Sequence, residues 1–196
     1  MTNKPSRAQQ ILEALAHQLE VSPGQRITTA ALARELGVSE AALYRHFPSK
    51  ARMFEALIEF IEDTVFGLIN RILDEQSTAR ARCDAILGML LGFAARNPGL
   101  SRILVGDALT GENERLRTRI MQFYDRLETQ LKQILREAES KGELPVGNPS
   151  TAAANLMLAA VEGRMNQFVR SGFSQSPLER WDQQWELLSA SLFPDR

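Results

Sequence analysis

Thr28, Thr29, Ser39, Tyr44, His46 and Lys50 all fall within one short stretch, TTAALARELGVSEAALYRHFPSK (28–50). Hydroxyl, imidazole and ammonium groups at this density are suited to phosphate oxygens. Such contacts position a protein on a duplex, while base edges supply specificity. The apolar spacing puts them on two short helices. Leu32, Ala33 and Leu36 form the inner face of the first, from about 29 to 36, capped by Thr28 and ended by Gly37. The second starts after Ser39 and closes near His46, before Pro48, with Leu43 and Phe47 turned inward and Val38 at the junction. Two helices about a glycine turn make a helix-turn-helix, whose second helix lies in the DNA major groove. Glu40, Ala41, Tyr44, Arg45 and part of His46 lie off its apolar face. Lys50 falls in the first turn of the next helix, where amide N–H groups and the dipole also favour a phosphate. The same spacing occurs in plain helix packing, with His46 structural and Tyr44 at a core edge.

Bulk charge does not decide between these readings. The chain has 196 residues and a formal net charge of −1. Residues 1–55 carry seven Lys/Arg against five acids, and the remainder 16 against 19. A mildly basic head on an acidic body suits a polyanion at one end, though the bias is weak. Catalysis finds no footing: there is no phosphate-binding glycine loop, no HExxH and no paired-cysteine metal motif. His17 and His46 lie in separate helices. Cys83 is the single cysteine, so no intrachain disulfide forms and the cytoplasm is the expected compartment. No cofactor and no metal are expected. MTNKPSRAQQ has no apolar signal core. The longest apolar run, AILGMLLGFAA (85–95), is shorter than the roughly 17–25 residues of a membrane span.

Helical periodicity recurs along nearly the whole chain, and no run alternates with period two. Helices are expected over about 7–20, 29–36, 40–46, 50–73, 78–95, 99–105, 112–141, 150–171 and 178–193. The fold class is all-α: a three-helix head, residues 1–50, followed by a larger helical body, residues 51–196. On the fourth helix Met53, Leu57, Ile61, Val65, Leu68 and Ile72 make one apolar stripe, with Phe60 at its edge and Phe66 well off it. An off-stripe Phe66 beside Gly67 is either an exposed partner surface or meets another helix or a dimer mate. TAAANLMLAAVEGRMNQF (151–168) is rich in small residues, including Ala160 and Gly163, alongside Leu156. Trp181, Trp185, Leu188 and Leu192 share one face of the last helix. These two helices are expected to pack against their symmetry mates as a four-helix bundle, although an intrachain core would show the same pattern.

The segment ITTAALARELGVSEAALYRHFPSK resembles the DNA-binding head of the TetR family, and GVSEAALYRHFPSK is its specific signature. Within the family, QRITTAALARELGVSEAALYRHFPSKARMF, LIEFIED, LLGF and RNPGL, spread over roughly residues 10–110, are similar to a branch of nucleoid occlusion factors. QFVRSGF (167–173) extends the likeness weakly. The resemblance implies a TetR-like fold and homodimers that bind short chromosomal palindromes, with dimer pairs spreading on DNA. DNA-bound, they engage the C-terminal tail of the division GTPase FtsZ and antagonise its polymers, which implies nucleoid association. It also implies a groove between helices four and five formed by Phe60, Gly92, Arg96 and Asn97, with Met89 replacing a similar apolar residue. Leu68 stands where the branch carries an arginine, so either the groove is less basic or Arg71 substitutes. The alternative within the family is a ligand-responsive repressor of an efflux or metabolic operon, which requires a roomy pocket in the body.

Overall fold

Ser6 accepts the Gln9 amide at 3.2 Å and opens helix α1, Arg7–Val21. Ile11, Leu15 and Leu19 then recur on one buried face. The structure is a computed structural model that describes residues 5–22, 24–147 and 149–193, and all regular structure among them is helical. It divides into two compact units, Met1–Glu62 with Asn97–Ile120 and Asp63–Arg96 with Met121–Arg196. The expected boundary at residue 50 follows the helix-turn-helix motif, whereas packing groups the start of the long fourth helix and the segment after residue 96 with the head.

The first unit contains α1, α2 (Thr29–Glu35), α3 (Glu40–Tyr44), the first half of α4 (Lys50–Glu75), α6 (Pro98–Leu104) and the start of α7 (Glu114–Ser140). Gly99 lets α6 cross α1 at close range: a Cβ there would stand 2.1 Å from the Ala16 carbonyl oxygen. Arg102, 2% exposed, donates to the Leu19 and Ser22 carbonyls, each at 2.9 Å, and to Asp107. The carbonyls at the C-terminal end of α1 are groups that a helix leaves unpaired, so the guanidinium caps α1 from another element. Arg119 forks onto the Glu62 carboxylate at 3.1 and 2.7 Å and donates to the Glu55 carbonyl, fastening α7 to α4.

The second unit is built around α5 (Ala79–Arg96), whose Cys83, Ile86, Leu87, Leu90, Leu91, Phe93 and Ala94 are buried. A helix apolar on most sides belongs in a core. It packs against α8 (Ser150–Arg170) and α9 (Trp181–Ser189). The α9 helix is shorter than the sequence suggests because Arg180 takes a left-handed φ of 59° at its N-cap. Arg164 steadies that approach by donating to the carbonyls of Ser176, Pro177 and Glu179.

One expectation needs correction here, the stripe on α4, and two patterns that the sequence leaves open take a definite form within the chain. Trp181 and Trp185 are 4% and 3% exposed within the chain, so they pack in its core, the alternative that their spacing also allows. Phe66 meets another helix of the chain, one of its two expected places: its ring lies edge-on to Phe123 at 5.6 Å, and the Arg126 guanidinium lies over it at 3.7 Å. The stripe on α4 holds through Met53, Leu57, Ile61 and Val65, but Ile69 is the buried residue beyond them, while Leu68 and Ile72 are half-buried.

Candidate nucleic-acid interface

The two helices of the motif are set by local hydrogen bonding. Thr28 Oγ1 accepts the Ala31 amide at 3.1 Å and caps α2, and Ser39 Oγ accepts the Ala42 amide at 3.3 Å and caps α3. Between them Gly37 takes a φ of +65°, a conformation that a side chain disfavours. The Gly37 amide then reaches the Arg34 carbonyl at 3.2 Å and the Val38 amide reaches Ala33 at 2.9 Å. This paired Schellman closure ends α2 and turns the chain into α3. Leu32, Ala33 and Leu43 are buried beneath it. His17 and Glu35 share a hydrogen bond at 3.1 Å that ties α1 to α2.

Glu40, Ala41, Tyr44, Arg45 and His46 are all exposed, as are Thr28 and Ser39, while Thr29 is half-buried. The Tyr44 hydroxyl donates to Thr29 Oγ1 at 3.3 Å, and Thr29 Oγ1 donates to Glu40 Oε2 at 2.6 Å. This relay fixes the Tyr44 ring across the outer face of α3 and leaves its hydroxyl oxygen able to accept. Glu40 sits in the first turn of α3, where the helix dipole favours a carboxylate. A carboxylate repels phosphate, but it can accept from a cytosine amino group in the major groove.

Lys50 differs from expectation. Its ammonium donates to Glu112 Oε1 at 2.5 Å, and the two side chains are 19% and 9% exposed. The first-turn cation of α4 is therefore engaged by a carboxylate. Glu112 is the residue that sequence reasoning misses, since its partner lies 62 positions away.

The residues expected to meet a protein partner divide between the units. Phe60 in the first unit is 52% exposed, and Asn97, the N-cap of α6, also lies there. Met89, Gly92 and Arg96 lie on α5 in the second unit, half-buried, buried and exposed respectively. Gly92 opens room for its own neighbour: a Cβ there would come within 3.3 Å of Arg96 Nη1. Arg71 is exposed and pairs with Glu75 at 3.9 Å.

On the second unit, Leu156 is 54% exposed and Leu187 is 81% exposed. Gly163 is exposed, and Ala160 and Leu188 are half-buried. Leu87, Leu90, Leu91 and Phe93 fill the interior around α5. A cleft of about 660 Å³ opens at the surface beside Glu128, Arg136, Ser150 and Asn155. Burial pushes the Cys83 thiol up to about 12, which leaves it unreactive. Among the described residues no group of His, Cys, Asp and Glu could hold a metal ion, and no helix is long and apolar enough to cross a membrane.

The fold and the capped two-helix head define a helix-turn-helix DNA-binding protein of the TetR type. Residues 11–57 match the family model "Bacterial regulatory proteins, tetR family", and residues 76–193 match "Tetracyclin repressor-like, C-terminal domain", the SlmA-like form. The ketosteroid transcriptional regulator KstR2 of Mycobacterium tuberculosis shares the fold, with a TM-score of 0.78 and 16% identity over 98% of each chain. The chain is 55% identical to the nucleoid occlusion factor SlmA of Marinomonas sp. (strain MWYL1) over 100% of both chains. It is 57% identical to that of Alteromonas mediterranea over 93% of both. The chain belongs to the SlmA family of nucleoid occlusion factors.

Proposed function

We propose that two copies of this chain bind chromosomal palindromes through α3 and, once on DNA, antagonise FtsZ polymers so that no septum assembles over the nucleoid. The observation that carries the DNA half is the exposed Tyr44–Thr29–Glu40 relay on a capped helix. Base edges are read by Glu40, Ala41, Tyr44 and Arg45. Thr28, Thr29, Ser39, His46 and, once released, Lys50 hold phosphates. Two heads must reach half-sites about one helical turn, ~34 Å, apart. The exposed apolar positions Leu156 and Leu187, with the small residues Ala160 and Gly163 on α8, support a homodimer through α8 and α9. The protein acts in the cytoplasm, on the nucleoid.

The partner half rests on Phe60, Met89, Gly92, Arg96 and Asn97. The Arg96 guanidinium, exposed and lying over Gly92, suits an acidic peptide such as the FtsZ tail. Arg71 has its own acidic neighbour at 3.9 Å, which leaves the surface near Leu68 less basic. Mapping bound DNA by crosslinking and sequencing tests the whole reading. Many palindromic sites over the chromosome, sparse near the replication terminus, are expected. One or two sites beside a single operon would instead make the protein a local, ligand-responsive repressor.

A further inference from the structure

We propose that Glu112 sets how strongly the head grips the DNA backbone, by holding Lys50 on its carboxylate and yielding it to phosphate. The proposal rests on the reading of Lys50 as a phosphate contact. The Lys50 ammonium lies 2.5 Å from Glu112 Oε1 and 5.6 Å from the centre of the Phe54 ring. Its side chain is only 19% exposed. A cation seated on a carboxylate in a shielded place gains little from a more distant anion. To reach a phosphate, Lys50 must exchange one charge-assisted bond for another of similar strength.

Glu112 has a second cation to fall back on. Arg26 Nε lies 3.9 Å from the same carboxylate oxygen, and the Arg26 side chain is 73% exposed. When Lys50 leaves, Arg26 closes on Glu112, so the nearly buried carboxylate is not stranded without a partner. Lys50 is the first residue of α4, and Ser49 Oγ takes the Arg52 amide at 3.2 Å. The remaining free amides of that first turn add to the pull on a phosphate. Glu112 thus acts through Lys50 and touches no DNA itself. It keeps the head one phosphate contact short until a duplex is close enough to compete.

The test uses the full chain and a fluorescent duplex of random sequence, because backbone grip is independent of sequence. Affinity is measured across roughly 50 to 200 mM salt, with circular dichroism confirming that each variant is folded. Glu112→Gln removes the competing charge. It should bind several-fold tighter, and, because Lys50 reaches a phosphate in only part of the parent complexes, its plot of log affinity against log salt should steepen by less than about 0.9 for each head engaged. In Lys50→Ala/Glu112→Gln that steepening should vanish. Glu112→Asp keeps the charge but withdraws it by one methylene, and should steepen the plot by a smaller amount. The proposal is overturned if Glu112→Gln binds like the parent or more weakly, or if its gain persists without Lys50, which would make it a bulk-charge effect. Should Glu112→Gln not fold, a parental slope in Glu112→Asp overturns it equally. Lys50→Ala separates the two layers. A parental slope there refutes the phosphate role of Lys50 and the latch with it. A lowered slope with no response to Glu112→Gln refutes the latch alone.

Discussion

Gly99 and Ala16 meet so closely that no side chain fits between them: the Cβ that Gly99 lacks would lie 2.1 Å from the Ala16 carbonyl oxygen, 3.1 Å from its carbon and 3.2 Å from the Glu20 amide nitrogen. All three atoms are backbone, so none can rotate away. Gly99→Ala should cost about 1–3 kcal/mol or more through the forced separation of α6 from α1. Gly67→Ala is the contrast, since a Cβ there meets nothing within 4 Å. That change should gain roughly 0.5–1 kcal/mol from helix propensity. Urea unfolding followed by circular dichroism measures both, and equal stabilities would show that α1 and α6 do not depend on the missing methyl.

Tyr44 holds the outer face of α3 through Thr29. Tyr44→Ala should lower affinity for a mapped palindromic site by about 1–3 kcal/mol while leaving the dimer intact in sedimentation. Tyr44→Phe removes only the hydroxyl link to Thr29 and should cost less. Parental affinity in a titration of Tyr44→Ala would remove α3 from the recognition surface.

Arg96 should matter to the protein partner and not to DNA. Arg96→Asp is expected to bind palindromic DNA like the parent and to lose disassembly of FtsZ polymers, followed by light scattering. Gly92→Ala should have a milder effect of the same kind, because its new Cβ would press on Arg96 Nη1 at 3.3 Å. Unchanged disassembly by Arg96→Asp would move the partner surface elsewhere.

Asp84 makes stability depend on pH. Burial raises its carboxyl above the usual range, Asp182 and Glu186 raise it further, and Arg80 opposes them. A carboxyl with a raised folded pKa holds its proton more tightly when folded. Its contribution is full below the ordinary carboxylate range and is lost as pH rises through the folded value. Asp84→Asn should therefore be more stable than the parent at neutral pH, with the advantage shrinking toward acid. Glu162 is raised for like reasons, burial first and then Glu128. Glu128 runs the opposite way, lowered by bonds from Lys132 and Asn155. The comparison of Asp84→Asn with the parent isolates one group, and thermal melts at neutral and mildly acid pH provide it. An advantage that is equal at both would exclude Asp84 as the source.

The head was legible in the sequence because its determinants are local. Thr28, Ser39 and Gly37 each act within a few residues of themselves, so caps and turn follow from residue type. Asn97-Pro98-Gly99 reads correctly as a helix boundary, but the second duty of Gly99 is owed to Ala16, 83 positions away, and no local pattern encodes that. Arg102 and Glu112 are hidden for the same reason, since a charged residue in a helical protein ordinarily signals solvent. Phe66 is ambiguous in the sequence for a different one. The half of α4 in the second unit buries Val65 and Ile69 and sets Phe66 against Phe123, so its inward face turns away from the line drawn through Met53. Trp181 and Trp185 have the spacing of any buried helical face, which cannot distinguish an intrachain core from a dimer seam.

Those two are the chain's entire complement of tryptophan, and both lie buried in the second unit. Among the described residues the Trp181 indole N–H has no hydrogen-bond partner. Intrinsic fluorescence is thus a private signal of that unit: its emission should begin blue and shift red only when α9 comes away from α5. The head is silent in this channel and is seen through its helices. A denaturation followed by both probes therefore asks whether the molecule melts as one body, with coincident traces, or releases its DNA-binding half first.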